Sequence, residues 1–342
     1  MLIRSLRRTL RSEAFAAAVR VCEALASHPR GLLYLLTYHR IDYPNREPGL
    51  DPGMIGSSPE EFDVHIRELA RRCRPVGWGE VEAGIDDPST LPPRAVHVTF
   101  DDAYEDFALH AWPVLRRHGV PATLFVATRF PDRDSRGYWW DRLHRAIRLS
   151  PGNEPIRIGD REIPRSTASE RDAAFRETVR LVASLPFAQA SIQIDSICSR
   201  APTPEPASGV LDWATLRRLK AEGLTLAPHS RTHPLMHRMT VDAAADEALG
   251  SLRDLEREIG PTPAFFAYPG GAFSPELPKR LASIGFKGAL TTRRGVNDLR
   301  ACDRFLLRRT NVGRSTSSAL VRAELLPWIR LAHPLFPLTG SV

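Results

Sequence analysis

The stretch Val96-His97-Val98-Thr99-Phe100-Asp101-Asp102-Ala103-Tyr104 constrains the fold more than any other part of this 342-residue chain. Val96, Val98 and Phe100 suit a pleated, enclosed surface, whereas Asp101 and Asp102 are poor strand formers. The pattern predicts a buried strand that runs out into two consecutive carboxylates and then turns into a helix. Carboxylates at the end of an apolar strand are costly to bury unless a cation, often a metal, sits beside them. In sheets and barrels of parallel strands, the C-terminal end of a strand is where chemistry is usually placed.

Strands and helices alternate on both sides of this stretch. Leu32–Tyr38 is an apolar run ending at His39-Arg40, and Ser58-Pro59-Glu60-Glu61 has the cap, proline and first-turn acids of a helix start. Further strands are predicted over 120–127, 224–227, 264–268, 286–291 and 305–310. Helices with their own stops, such as Gly119, Gly223, Gly260 and Gly285, lie between them. The expected fold class is therefore α/β, a distorted (β/α)7-type barrel over 31–313. It is interrupted by a partly helical insertion over about 130–211, where periodicity fails apart from one helix at Ala168–Ser184 and a stiff proline-rich connector at 202–206. Within the insertion, Trp139 and Trp140 either cover the cleft or fill a core. A basic helical segment over 1–30 precedes the barrel and a tail over 314–342 follows it.

The net charge of +7 comes almost wholly from arginine, since the lysines are Lys220, Lys279 and Lys287. No basic run with interleaved aromatics appears outside the N-terminus, so a nucleic-acid partner is not expected. Cys22, Cys73, Cys198 and Cys302 are far apart without C-x-x-C spacing, which fits a reducing compartment and argues against a cysteine zinc site. No apolar run reaches the ~20 residues of a transmembrane helix. The N-terminal Arg4, Arg7, Arg8 and Arg11 are not followed by a signal-peptide core. A cytoplasmic location is expected, with peripheral contact at the inner face of the membrane through the basic N-terminus as an extension of it.

The strand over 224–227 runs into Pro228-His229-Ser230-Arg231-Thr232-His233-Pro234. Two histidines four apart fall on one side of a helical turn and can point at a common atom. One carboxylate from another strand end would complete a His₂Asp set with an open fourth position, the arrangement of a catalytic metal. Taken alone, such a histidine pair is more often a surface or capping feature than a metal site, and the adjacent aspartates are usually a helix start.

The order of Thr99-Phe100-Asp101-Asp102, His229-Ser230-Arg231-Thr232-His233-Pro234 and Phe266-Ala267-Tyr268-Pro269-Gly270-Gly271, each at a strand end, resembles the polysaccharide deacetylase family. These NodB-homology carbohydrate esterases are distorted (β/α) barrels that remove acyl groups from amino-sugar polymers with a divalent cation. The resemblance implies Asp102, His229 and His233 as metal ligands, Asp101 as general base acting on a metal-bound water, and the Gly270 N–H as oxyanion donor beside Tyr268. Trp213 matches an aromatic shaping the acyl pocket. Zinc is the default ion, with Co²⁺, Ni²⁺ or Mn²⁺ as alternatives. The sequence departs from the family in three places. Ala103 replaces a glycine, a change that a helical φ would tolerate. Ala267 stands where many members have an arginine bracing the base. No late Leu-x-His motif supplies a general acid, and His39 of Tyr38-His39 is the expected substitute. The implied activity is hydrolysis of an N-acyl group, foremost N-acetyl, on an amino-sugar saccharide, with a lipid-linked precursor as one form of the substrate. The alternatives are a deformylase or other C–N amide hydrolase on the same fold, and a glycan-binding protein with a decayed site. Retention of Asp101, Asp102, His229 and His233 together weighs against decay.

Overall fold

The run at Leu32–Tyr38 is strand β1, and it pairs in parallel with β2 (Ala95–Asp101). β2 pairs with β3 (Ala122–Val126), and β3 with β4 (Thr225–Pro228), again in parallel. A separate parallel pair is formed by β5 (Phe265–Ala267) and β6 (Gly288–Leu290). Leu290 bridges in parallel to Leu307, and that segment leads into β7 (Thr310–Asn311), which lies along β1 on the edge opposite β2. The seven strands thus follow a ring with one seam, between β4 and β5, where no backbone ladder occurs among the described residues. The seam is held by Thr262 Oγ1 donating to the Leu226 carbonyl and by His229 Nδ1 donating to the Ala267 carbonyl at 2.8 Å. This computed structural model, which describes residues 12–44, 46–132, 137–201, 209–314 and 316–327, is a distorted (β/α)7-type barrel.

Both faces of each strand are buried, and alternation divides them between two cores. Leu32, Tyr34, Leu36 and Tyr38 pack outward with Val96, Val98 and Phe100 against the helix layer. Leu33, Leu35, Ala95, Phe125, Ala267 and Leu290 fill the ring. Helices Pro59–Arg72 and Trp78–Asp86 connect β1 to β2, and Trp78 plugs the ring from below, edge-on to His97, Phe125 and Phe265. The Ser58 hydroxyl accepts from the Glu61 N–H at 3.3 Å with Pro59 in the first turn, as the sequence predicts. After β2 the chain makes a π-helical turn, Phe107–Ala111, before the helix Trp112–His118 that Gly119 closes at φ +63°.

The insertion between β3 and β4 is more regular than its sequence suggests. The expected helix Ala168–Ser184 is present, joined by Trp139–His144, Phe187–Ser199 and the hairpin Ile156–Ile158/Arg161–Ile163. These enclose a cluster that includes Ile147, Ile158, Phe175, Val179 and Ile194. Helix Phe187–Ser199 is preceded by Pro186 with no side-chain cap, so the usual start signal is missing. Helix Ser318–Glu324, within the segment read as a tail, packs on Glu13–Leu25 through the Arg322–Glu23 ion pair. Arg4, Arg7, Arg8, Arg11 and the connector at 202–206 lie outside the described residues. Among the described residues, no helix is long and apolar enough to cross a membrane.

His97 is sealed inside the ring with its Nδ1–H donating to the Val76 carbonyl at 2.8 Å and its Nε2 accepting from Thr123 Oγ1 at 2.9 Å. Burial lowers its pKa from 6.5 to about 4. A depressed histidine contributes stability that is present above the unfolded value and lost as the pH falls toward the folded one, up to about 3 kcal/mol here. His97→Gln should therefore be less stable than wild type at pH 7.5, with a deficit that shrinks between pH 6.5 and 4. Urea midpoints across that range measure it, and a pH-independent deficit would contradict the neutral buried imidazole.

Candidate active site

Alternation along β2 turns His97, Thr99 and Asp101 to the inside of the ring. Thr99 hydrogen bonds Thr37 across β1 at 2.8 Å, and Asp101 emerges at the mouth. Both carboxylate oxygens of Asp101 accept from Arg309, Nη1 at 2.7 Å and Nη2 at 2.8 Å, while Arg309 Nε donates to the Thr291 carbonyl at 2.9 Å. Both side chains are buried. Burial alone would raise Asp101, but the charge of Arg309 and its two hydrogen bonds hold it well below the usual carboxylate range. The third-motif position is indeed Ala267, but the support that Asp101 lacks there comes from Arg309, just before β7. The chain carries no local sign of it, since Arg309 is one of many arginines and 208 residues from its partner.

Past Asp101 the backbone turns sharply, with φ +74° at Asp102 and +51° at Ala103. The helical φ expected at Ala103 is thus not found. The residue sits in the left-handed region, at a cost of about 1 kcal/mol for a side chain other than glycine. The turn swings the Asp102 carboxylate back across the mouth. Nor does the His229–His233 segment form a helical turn. It is a loop with φ +66° at Ser230 and +53° at His233, tied by the His233 N–H donating to Ser230 Oγ at 3.0 Å. The outcome expected of the spacing still holds, with the imidazole centroids 4.9 Å apart.

Asp102 Oδ1 lies 3.3 Å from His233 Nε2 and 3.6 Å from His229 Nε2. One ligand atom from each of the three residues lies within 4.8 Å of the others. The Ala267 carbonyl can only accept, so His229 carries its proton on Nδ1 and presents the Nε2 lone pair to Asp102. Asp102 Oδ1 is buried and has no hydrogen-bond partner among the described residues. Burial, then the charges of Asp101 and Asp141, push the Asp102 pKa well above the carboxylate range, and burial lowers both histidines. A buried carboxyl oxygen with no hydrogen-bond partner, facing two neutral imidazoles and costly to ionise as it stands, is a donor set that fits a divalent cation, whose charge would offset that cost.

The insertion closes one side of this cluster. Tyr138 donates its hydroxyl proton to the Asp102 carbonyl at 2.7 Å and stacks on Trp140 at 4.5 Å, and the Trp140 ring stands edge-on to His233 at 4.8 Å. Trp140 Nε1–H donates to Tyr104 Oη at 2.8 Å, which donates to Asp141 Oδ2 at 2.7 Å. Trp140 is therefore a core residue that also walls the site, whereas Trp139 is half-buried.

His39 is half-buried at the end of β1, in register with the inward-facing Thr37, and is electrostatically coupled to Asp101, Arg309 and His229. Burial lowers its pKa to about 4. Gly270 is exposed at φ +58° in the turn Pro269–Gly271. The ring of Tyr268 points the other way, stacked on Phe273 at 4.4 Å with its hydroxyl donating to the Phe305 carbonyl. Trp213 is buried at a helix start and donates from Nε1 to Asp132 Oδ1 at 3.1 Å. Asp101, Asp102, His229, His233 and His39 are thus brought together, while Tyr268 adjoins the mouth through its backbone.

Removing one member of a buried ion pair costs about 3–5 kcal/mol, because the other charge is stranded. Arg309→Leu should lose stability on that scale, and Arg309→Lys, which keeps the charge but not the two-pronged contact, should lose less. Chemical unfolding measures both; a loss below about 1 kcal/mol for Arg309→Leu would deny the pair its role.

A model of the polysaccharide deacetylase family matches residues 89–289, well over half of the chain. A comparison with curated proteins gives no match. Among solved structures, the chain is similar to the deacetylase PplD of Streptococcus pyogenes in complex with acetate, at 17% identity and a TM-score of 0.60, over 87% of this chain and 100% of that one. IcaB from Ammonifex degensii is 19% identical with a TM-score of 0.55, over 87% and 98%. A de-N-acetylase from Aggregatibacter actinomycetemcomitans is 15% identical with a TM-score of 0.53, over 86% and 99%. With its fold shared with these proteins and its sequence matched by the family model, the chain belongs to the polysaccharide deacetylase family, hydrolases acting on carbon–nitrogen bonds other than peptide bonds.

Proposed function

We propose that this protein removes N-acetyl groups from an amino-sugar saccharide, with Asp102, His229 and His233 holding one divalent cation and Asp101 acting as general base. The convergence of Asp102, His229 and His233 beside an ionised Asp101 carries the proposal. When bound, the cation supplies a Lewis acid for the acyl oxygen and an acidified water as nucleophile. Zinc is the proposed ion, because two imidazoles and one carboxylate suit it.

The residues divide the remaining work. Asp101, kept ionised by Arg309, accepts the proton as water oxygen bonds to the acyl carbon. The Gly270 N–H donates to the oxygen that becomes negative, and Trp213 and the Tyr268 backbone shape the pocket beside it. His39 is neutral at rest; after receiving that proton, its low pKa makes it a strong acid toward the departing nitrogen. The C–N bond breaks, the amine leaves protonated by His39, and the acyl group leaves as the carboxylic acid. A lipid-linked substrate and peripheral membrane contact belong to the proposal through Arg4, Arg7, Arg8 and Arg11, and a salt-washable membrane pool would test that part.

Acetate release from N-acetylated amino-sugar oligomers tests the reaction. Asp101→Asn should lower turnover by about 10²–10⁴-fold, the usual worth of a positioned base, and His39→Ala should slow the amide substrate. Wild type that releases no acetate from any such oligomer, or Asp101→Asn that retains full turnover, would overturn the proposal.

A further inference from the structure

A cavity of about 260 Å³ lies between the insertion and the loop that carries His233. From the insertion it is lined by Trp139, Arg142, Phe187 and Asp195, and from the barrel by Thr232 and His233. The half-buried Trp139 stands edge-on to Trp140 at 5.5 Å, and Trp140 stands edge-on to His233. The aromatic wall is thus one ring removed from the candidate metal centre. Arg142 donates from Nη2 to Asp195 Oδ1 at 2.6 Å, which sets a hydrogen-bonded charge pair in the insertion side of the lining.

Resting on the proposed deacetylation, we infer that this cavity is a saccharide subsite that holds the sugar ring next to the one bearing the acyl group. The C–H face of a pyranose packs on Trp139, and a ring hydroxyl donates to the exposed Asp195 carboxylate that Arg142 holds in place. Asp195 already balances the charge of Arg142, which favours a neutral hydroxylated ligand over a phosphate. The polar groups Arg142, Asp195 and Thr232 oppose a plain hydrocarbon chain, which would leave them desolvated. The volume lies just under the ~300–1,000 Å³ of drug-sized pockets, which suits a single ring. The site is supplied by the insertion, so it selects for substrate length while the barrel motifs attack the amide.

Two variants perturb the cavity in opposite ways: Trp139→Ala removes the platform, and Ala190→Phe fills the space. Calorimetric titration with an N-acetylated amino-sugar tetramer and with its monomer should show that wild type prefers the tetramer. Each variant should lose about tenfold or more of the tetramer affinity, as truncation of an anchoring aromatic does. The tetramer-to-monomer ratio of kcat/KM should fall in step, with melting temperatures reported alongside. Equal affinity of wild type for tetramer and monomer, or tetramer binding unchanged in both folded variants, would overturn the subsite. So would capture of dodecanoate in place of the sugar. Tetramer binding that both variants weaken, in a wild type that releases no acetate, would sink the proposed reaction and leave the subsite standing.

Discussion

The buried pair between Arg309 and Asp101 holds the mouth of the barrel together. Two charges removed from water are tolerable only where each finds full hydrogen bonding, and here both carboxylate oxygens and three guanidinium nitrogens are engaged. The pair ties the end of β2 to the segment entering β7 and to the end of β6 through Thr291, so it braces the ring across its opening. It also divides the labour of two adjacent aspartates. Asp101 has its counter-charge, and Asp102 has none. The left-handed turn then aims the unpartnered Asp102 carboxyl at two imidazoles, a donor set that could hold a cation.

Much of this was legible along the chain. β1 falls on the predicted Leu32–Tyr38, and β2 ends at Asp101, because apolar and β-branched residues of period two leave little choice of structure. Alternation likewise directs His97, Thr99 and Asp101 inward. What escaped depends on distance or on backbone conformation. Arg309 has no local pattern that separates it from its neighbour Arg308; only the folded ring brings it to Asp101. The left-handed φ of Ala103, Ser230 and His233 arises where tertiary contacts override local preference, as functional sites often allow. Helix Phe187–Ser199 escaped because proline precedes it in place of a polar cap.

The insertion belongs to the site as well as to the fold. Tyr138 binds the carbonyl of the strained Asp102, and Trp140 packs against His233 while its indole N–H begins a chain through Tyr104 to Asp141. Asp141 Oδ1 also accepts from the Asp51 N–H at 2.6 Å, which secures the chain to the loop after β1. A segment that looks like decoration in sequence therefore supports one candidate ligand from outside and fixes the backbone of another. Such outer support is what keeps a metal-binding geometry within its tolerance.

The central claim is that Asp102, His229 and His233 form one cation site. Zinc titration of the purified, metal-stripped protein, followed by elemental analysis after gel filtration, tests it most directly. Wild type should retain about one equivalent, as a three-ligand site implies, and Asp102→Asn, His229→Ala and His233→Ala should each lose it while remaining folded. Equal zinc retention by wild type and all three variants would contradict the account.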